Sequence, residues 1–259
     1  MNAEAILAQL SQLTGHIGFY AKDLATGQVI RYHAEDAIEA ASVIKLCVMA
    51  EAFRQREKGT LRFEEEISIR EQDKLPSCGA LTYLHTGIRV QLGDLVTLMM
   101  ILSVNTATNL LIDRLGIDAI NREIDELGLH ATKLNRKLFQ PELARKGIKN
   151  YVGAEDIGCL LEKIYAGKLV SEQASREMLE ILKYQRLNGK LPFYLHSEGI
   201  ACAHKTGEDD GVTHDVGIIF AETPRIVCFL SEETDVPRTE RAMQETARII
   251  VETDKESET

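Results

Sequence analysis

The chain has 259 residues, 44% of them hydrophobic and 27% charged, which is enough apolar content for a full core and excludes disorder or a coiled coil throughout. Thirty Lys plus Arg stand against forty Asp plus Glu, a formal charge of -10, and a surface of that sign repels nucleic-acid phosphates and anionic lipid. The apolar runs Val43 to Ala50 and Leu95 to Leu102 fall short of the roughly 18 residues that a membrane span needs.

Ile6, Leu7, Leu10 and Leu13 recur at helical spacing over residues 3 to 13, and the pattern then alternates from His16 to Leu24 and from Val29 to His33 around an Ala-Thr-Gly-Gln turn, so a helix followed by a β-hairpin is expected. From Ser42 to Gly59 the periodicity is again helical, and it is apolar nearly all round in its first half, the mark of a buried helix. Asp94 is expected to cap Leu95 to Leu102, and Thr106 to cap a run that stops at Gly116; helices over Ile117 to Leu127, 155 to 166 and 171 to 184 follow. Ile200 to Lys205, Thr213 to Ala221 and Arg225 to Ser231 then read as strands separated by turn residues, and an amphipathic helix runs from about Arg238 to Val251. β-segments therefore bracket a helical insert. The expected class is α+β: an antiparallel sheet of about five strands flanked by the terminal helices (1–38 plus 196–259), an all-helical lobe (39–195), and the active site between them.

Cys47, Cys78, Cys159, Cys202 and Cys228 have no C-x-x-C spacing, and their odd number argues against a disulfide framework. The seven His form no H-E-x-x-H or zinc-finger pattern, so no metal or other cofactor is expected. Met1 to Leu13 lacks the basic start and unbroken apolar stretch of a secretory signal, which points to the cytoplasm as the sequence stands, although an exported protein whose signal has been removed reads the same. A small molecule is the expected partner of a monomer, with no nucleic acid and no membrane span.

Three short motifs carry possible chemistry. In Ser42-Val43-Ile44-Lys45 a hydroxyl, a weak nucleophile, has a lysine one turn on, which can take its proton when the amine is neutral; burial and a second nearby cation favour that neutral form. Ser103-Val104-Asn105 is a polar break between two apolar helices, where a hydroxyl can relay a proton and an amide can fix an amine and a carbonyl. Lys205-Thr206-Gly207 ends a strand, offering a charge and a donor to a carboxylate beside a glycine that admits a ligand to the backbone. Each motif taken singly has an ordinary structural account: a capping serine, a helix junction, a strand entering a turn.

Together, spaced by about 60 and then about 100 residues, they match the serine acyltransferase set of class A β-lactamases and penicillin-binding proteins. The stretch from Asp94 to Gly116, Ala203-His204-Lys205-Thr206-Gly207, and Thr213 to Ile219 resemble the corresponding segments of class A β-lactamases and their relatives, and the likeness extends over essentially the whole chain. The resemblance implies that Ser42 is acylated, Lys45 is its base, Ser103 relays a proton, Asn105 positions the ligand, and Lys205 with Thr206 binds a carboxylate. The backbone N–H groups of Ser42 and Glu208 would hold the oxyanion.

Two departures stand out. Val104 occupies the middle of a triplet that is usually Ser-Asp-Asn, which the flanking side chains should tolerate. Where efficient β-lactamases have Glu, Pro-Glu-Leu and Asn, this chain reads Gln140-Pro141-Glu142-Leu143-Ala144. An amide cannot accept a proton as a carboxylate does, and Ala144 removes a second water ligand, so deacylation is expected to be slow. Glu142 is a candidate substitute, and Cys78 falls where relatives carry a residue at the cleft mouth. The alternatives are a D,D-peptidase or esterase, or a module that traps a β-lactam or cell-wall fragment without turnover.

Overall fold

The computed structural model of the protein describes residues 1–76 and 79–255. Helix α1 (Ala3–Leu10) starts at Asn2, whose side chain accepts the Ala5 N–H, and strands β1 (His16–Asp23) and β2 (Val29–Tyr32) follow as the expected hairpin. A two-residue strand β3 (Ile38–Glu39) leads into a 3-10 turn over Ala41–Ile44 and then α2 (Lys45–Glu57), in which every residue from Lys45 to Phe53 is buried. Strand β4 (Glu66–Ser68) pairs with β5 (Arg89–Gln91), and α3 (Leu92–Ile101), α4 (Asn105–Leu115) and α5 (Ile117–Glu126) follow. A short α6 (Pro141–Arg145), strand β6 (Tyr151–Val152) paired with β3, α7 (Ala154–Tyr165) and α8 (Glu172–Lys183) complete the helical part. Strands β7 (Ala201–Asp209), β8 (Val212–Phe220) and β9 (Pro224–Glu232) and helix α9 (Val236–Lys255) close the chain.

The main sheet has five antiparallel strands in the order β2-β1-β9-β8-β7, so both ends of the chain meet in it. The class is α+β, as the alternating and helical patterns imply. Both faces of the sheet are covered. Ile17, Phe19, Ile219, Val227 and Phe229 pack against Ile6 and Leu10 of α1 and Met243, Ala247 and Ile250 of α9. The opposite residues Tyr20, Ala203, Val216, Ile218 and Cys228 join the core of the helical part. Burying each large apolar side chain contributes about 1.5–3 kcal/mol, which fixes the sheet against α2 and sets the walls of the cleft between them.

Three expectations are corrected. The segment opening at Ser42 is a 3-10 turn, not the first turn of an α-helix. Asp94 is not the N-cap of α3: the helix starts earlier because Leu92 is buried, and Asp94 sits three residues in, accepting the Gln91 N–H at 3.2 Å. Thr106 does not cap α4, which begins at Asn105; its Oγ1 instead accepts the Leu75 N–H at 3.0 Å. Cys47 and Cys228 are buried free thiols, and burial pushes both thiol pKa values up, which makes them inert. Among the described residues no helix is long and apolar enough to cross a membrane.

Candidate active site

The 3-10 turn decides how the first motif works. With about three residues per turn, side chains at i and i+3 eclipse, so Ser42 and Lys45 stand one above the other and Lys45 Nζ lies 2.9 Å from Ser42 Oγ. Ala41, just before them, has φ 40°, a left-handed conformation that costs an alanine of order 1–3 kcal/mol and persists only where surrounding packing imposes it. Gly207 of β7 lets the turn approach: a Cβ there would lie 2.8 Å from His214 Cδ2 and 3.2 Å from Val43 Cγ2.

Lys45 is fully buried, and its Nζ also lies 2.8 Å from Ser103 O, 2.9 Å from Ser103 Oγ and 2.8 Å from Asn105 Oδ1. Ser103 O and Asn105 Oδ1 can only accept, so a neutral amine gives them its two hydrogens and keeps its lone pair for a hydroxyl proton. That is the arrangement a general base needs. Ser103 has φ 54° in the break between α3 and α4, and its Oγ also accepts from Lys205 Nζ at 3.1 Å. One hydroxyl thus bridges the two buried lysines. Lys205 further donates to Thr206 O at 2.6 Å, and Thr206 faces the cleft beside Ser42. Val104 is buried beneath Gly79, where a Cβ would lie 2.8 Å from its Cγ1 and φ is 125°. The apolar residue in the middle of the triplet is a packing contact for that loop.

Ser42, Ser103, Asn105, Thr206 and Glu208 line one cleft of about 570 Å³ together with Gln140, Pro141 and Ala144. Lys45 and Lys205 form its buried floor. Gln140 precedes α6 and follows Phe139, whose φ is 55°. The loop carrying it is pinned on both sides. Asn109 of α4 donates to Leu138 O and accepts from Leu138 N, both at 2.9 Å. The buried Asn150 accepts from Asn135 N and Arg136 N and donates to Arg136 O. Glu142 is exposed on α6 and is not among the cleft-lining residues. Cys78 lies outside the described residues.

A supporting layer went unread in the sequence. Lys190, only 3% exposed, donates to Gly207 O and His214 O and pairs with Glu208 Oε1 at 3.0 Å, holding the strand edge that carries Thr206 and Glu208. His204, next to Lys205, sits between Asp215 Oδ1 at 2.8 Å and Asn188 Oδ1 at 2.9 Å, and Gln185 donates to both Met100 O and His204 O. His214 lies behind the cleft: its Nε2–H donates to Glu39 O at 2.7 Å and its Nδ1 accepts the Ser231 N–H at 3.0 Å, so the neutral ring ties the sheet to the cleft wall at Glu39.

Burial lowers the His214 pKa to about 4 from an ordinary 6.5. The folded protein resists a proton that the unfolded chain takes up, so this contribution is whole above pH 6.5 and is lost as pH falls toward 4. Between about pH 7.5 and pH 5 the wild type should lose about 2 kcal/mol through this group, and His214→Gln should show a correspondingly flatter dependence in urea unfolding. Equal pH slopes for the two proteins would refute this.

The profile of the beta-lactamase enzyme family matches residues 2–253, and the chain belongs to that family. The fold agrees. A β-lactamase from Sphaerobacter thermophilus is 30% identical, with 97% of this chain and 95% of that one aligned at a TM-score of 0.88. PBP-A is 25% identical, with 98% and 96% aligned at 0.88, and an ancestral class A β-lactamase, at 23% identity with 97% and 99% aligned, superposes at 0.87. The architecture is therefore that of the serine β-lactamases and their penicillin-binding relatives.

Proposed function

We propose that the protein is a serine hydrolase that β-lactams or related amides acylate on Ser42, and that it releases the acyl group slowly. The observation that carries this reading is the placement of Lys45 Nζ 2.9 Å from Ser42 Oγ, with the acceptors Ser103 O and Asn105 Oδ1 each 2.8 Å from the same nitrogen. Neutral Lys45 takes the Ser42 proton as Oγ attacks the amide carbonyl, and the backbone N–H groups of Ser42 and Glu208 stabilise the oxyanion. As the C–N bond breaks, the proton passes from Lys45 through Ser103 Oγ, which it already contacts at 2.9 Å, to the leaving nitrogen. Lys205 and Thr206 attract the substrate carboxylate, and Asn105 orients the acyl side.

Release needs a water activated from the side of the cleft where Gln140 and Ala144 stand. Neither side chain can accept a proton from it. The same residues favour the second reading, a protein that holds its ligand covalently. Intact-protein mass spectrometry with a penicillin tests both. A mass increase of one penicillin that persists long after mixing, mapped to Ser42, is the expected result; no adduct at any time overturns acylation, and a transient adduct with rapid turnover overturns slow release.

A further inference from the structure

We propose a transition-metal site at the end of the sheet where the start of β1 pairs with the end of β9, built from His16, His33 and Asp36, which takes Zn²⁺ or a similar borderline divalent ion. His16 opens β1 directly across from Glu232 of β9, and His33 and Asp36 sit in the turn after β2, closed by the Asp36 N–H donating to His33 O at 3.3 Å. Three ligand atoms converge there, all within 4.8 Å of one another. His16 Nε2 is 2.8 Å from Asp36 Oδ2, and His33 Nδ1 is 3.9 Å from the same oxygen. Metal–ligand bonds of about 2.0–2.1 Å in a tetrahedron place neighbouring ligand atoms about 3.3–3.4 Å apart. The two separations to Asp36 straddle that value and the two imidazole nitrogens lie within 4.8 Å of each other, so a bound ion would draw the ligands together by up to about 1.4 Å.

The outer shell points the same way. His16 Nδ1 faces Glu232 Oε1 at 3.3 Å, and the other oxygen of Glu232 accepts the Glu39 N–H at 2.9 Å. A carboxylate held at both oxygens thus orients the imidazole so that Nε2 faces Asp36, where a bound ion would replace the hydrogen bond between them and complete the carboxylate–histidine–metal arrangement. His33 is held as well: it has φ 46°, and its ring stacks on Tyr32 at 4.4 Å and 3°. Two imidazoles and one carboxylate, partly open to solvent, leave a coordination position for water and suit Zn²⁺, Ni²⁺ or Cu²⁺ rather than Ca²⁺ or Mg²⁺, which prefer oxygen ligands. No linear spacing signals the site, since the ligands come from two chain segments joined only by the fold.

The test is titration of tag-free full-length protein with Zn²⁺ by calorimetry at neutral pH, in a Cys78→Ser background so that this thiol does not compete. Binding should saturate at a single equivalent. His16→Ala and His33→Ala should abolish it, Glu232→Gln should weaken it about 10–100-fold, and His33→Ala should still form the Ser42 adduct, showing that it folds. Co²⁺ substituted into the site should give the weak visible bands of nitrogen and oxygen ligation. Absence of saturable binding, or binding unchanged in both histidine variants, overturns the proposal.

Discussion

Lys45→Ala is expected to lower the rate of Ser42 acylation by about 10²–10⁴, the usual span for losing a general base, and Ser42→Ala to abolish the adduct altogether. Lys45→Arg separates charge from basicity. It keeps a cation in the cleft floor, but a guanidinium does not deprotonate in proteins, so it should acylate as poorly as the alanine variant. Removing Lys45 also strips donors from Ser103 O and Asn105 Oδ1, both inside the fold, and a buried acceptor left without its partner costs about 1–3 kcal/mol. Thermal unfolding must therefore accompany the kinetics, and the comparison holds while each variant stays folded at the assay temperature. Adduct formation by Lys45→Ala at close to the wild-type rate would refute the role given to the amine.

The motifs were legible because each is a local pattern of chemically unusual residues in contiguous sequence: Ser42 with Lys45, Ser103 with Asn105, Lys205 with Thr206. What the pattern could not convey is why they meet. Ser103 Oγ bridges Lys45 and Lys205 because α3 stops in a left-handed residue and β7 runs past that break, and neither fact has a sequence period. The 3-10 turn at Ser42 escaped for a similar reason: over four residues an apolar run reads alike at 3.0 and 3.6 residues per turn, yet only the tighter turn eclipses the two side chains.

Lys190, Gln185 and His204 escaped because a lone polar residue in a mixed segment carries no periodic signal, and only tertiary packing shows that it is buried and partnered. The ribbons β3–β6 and β4–β5 are two and three residues long, too short for alternation to register. The sheet order was within reach, since hairpin-length turns separate β7, β8 and β9 and antiparallel neighbours follow from them. The cap assignments at Asp94 and Thr106 failed because each helix starts upstream of the polar residue that composition favoured, α3 at the buried Leu92 and α4 at the buried Asn105 whose side chain meets Lys45.

Gln140→Glu should shorten the lifetime of the Ser42 adduct by up to about 10²–10⁴-fold while leaving acylation nearly unchanged. The substitution is close to isosteric, and its backbone is fixed by Asn109 and Asn150 rather than by the Gln140 side chain, which makes no hydrogen bond to another described residue. A carboxylate introduced there enters the cleft already shared with Ser42 and Ala144 and supplies what the amide cannot, a lone pair basic enough to take a proton from water as it attacks the ester. Adding Ala144→Asn gives that water a second partner and should accelerate release further, a coupling that a double-mutant cycle measures. Glu142→Gln is the control: its carboxylate is exposed and outside the cleft lining, so the adduct should persist as in the wild type. An unchanged lifetime in Gln140→Glu would mean that the deacylating water approaches from another wall, and slower decay in Glu142→Gln would mean that the loop moves on acylation and brings that carboxylate to the water.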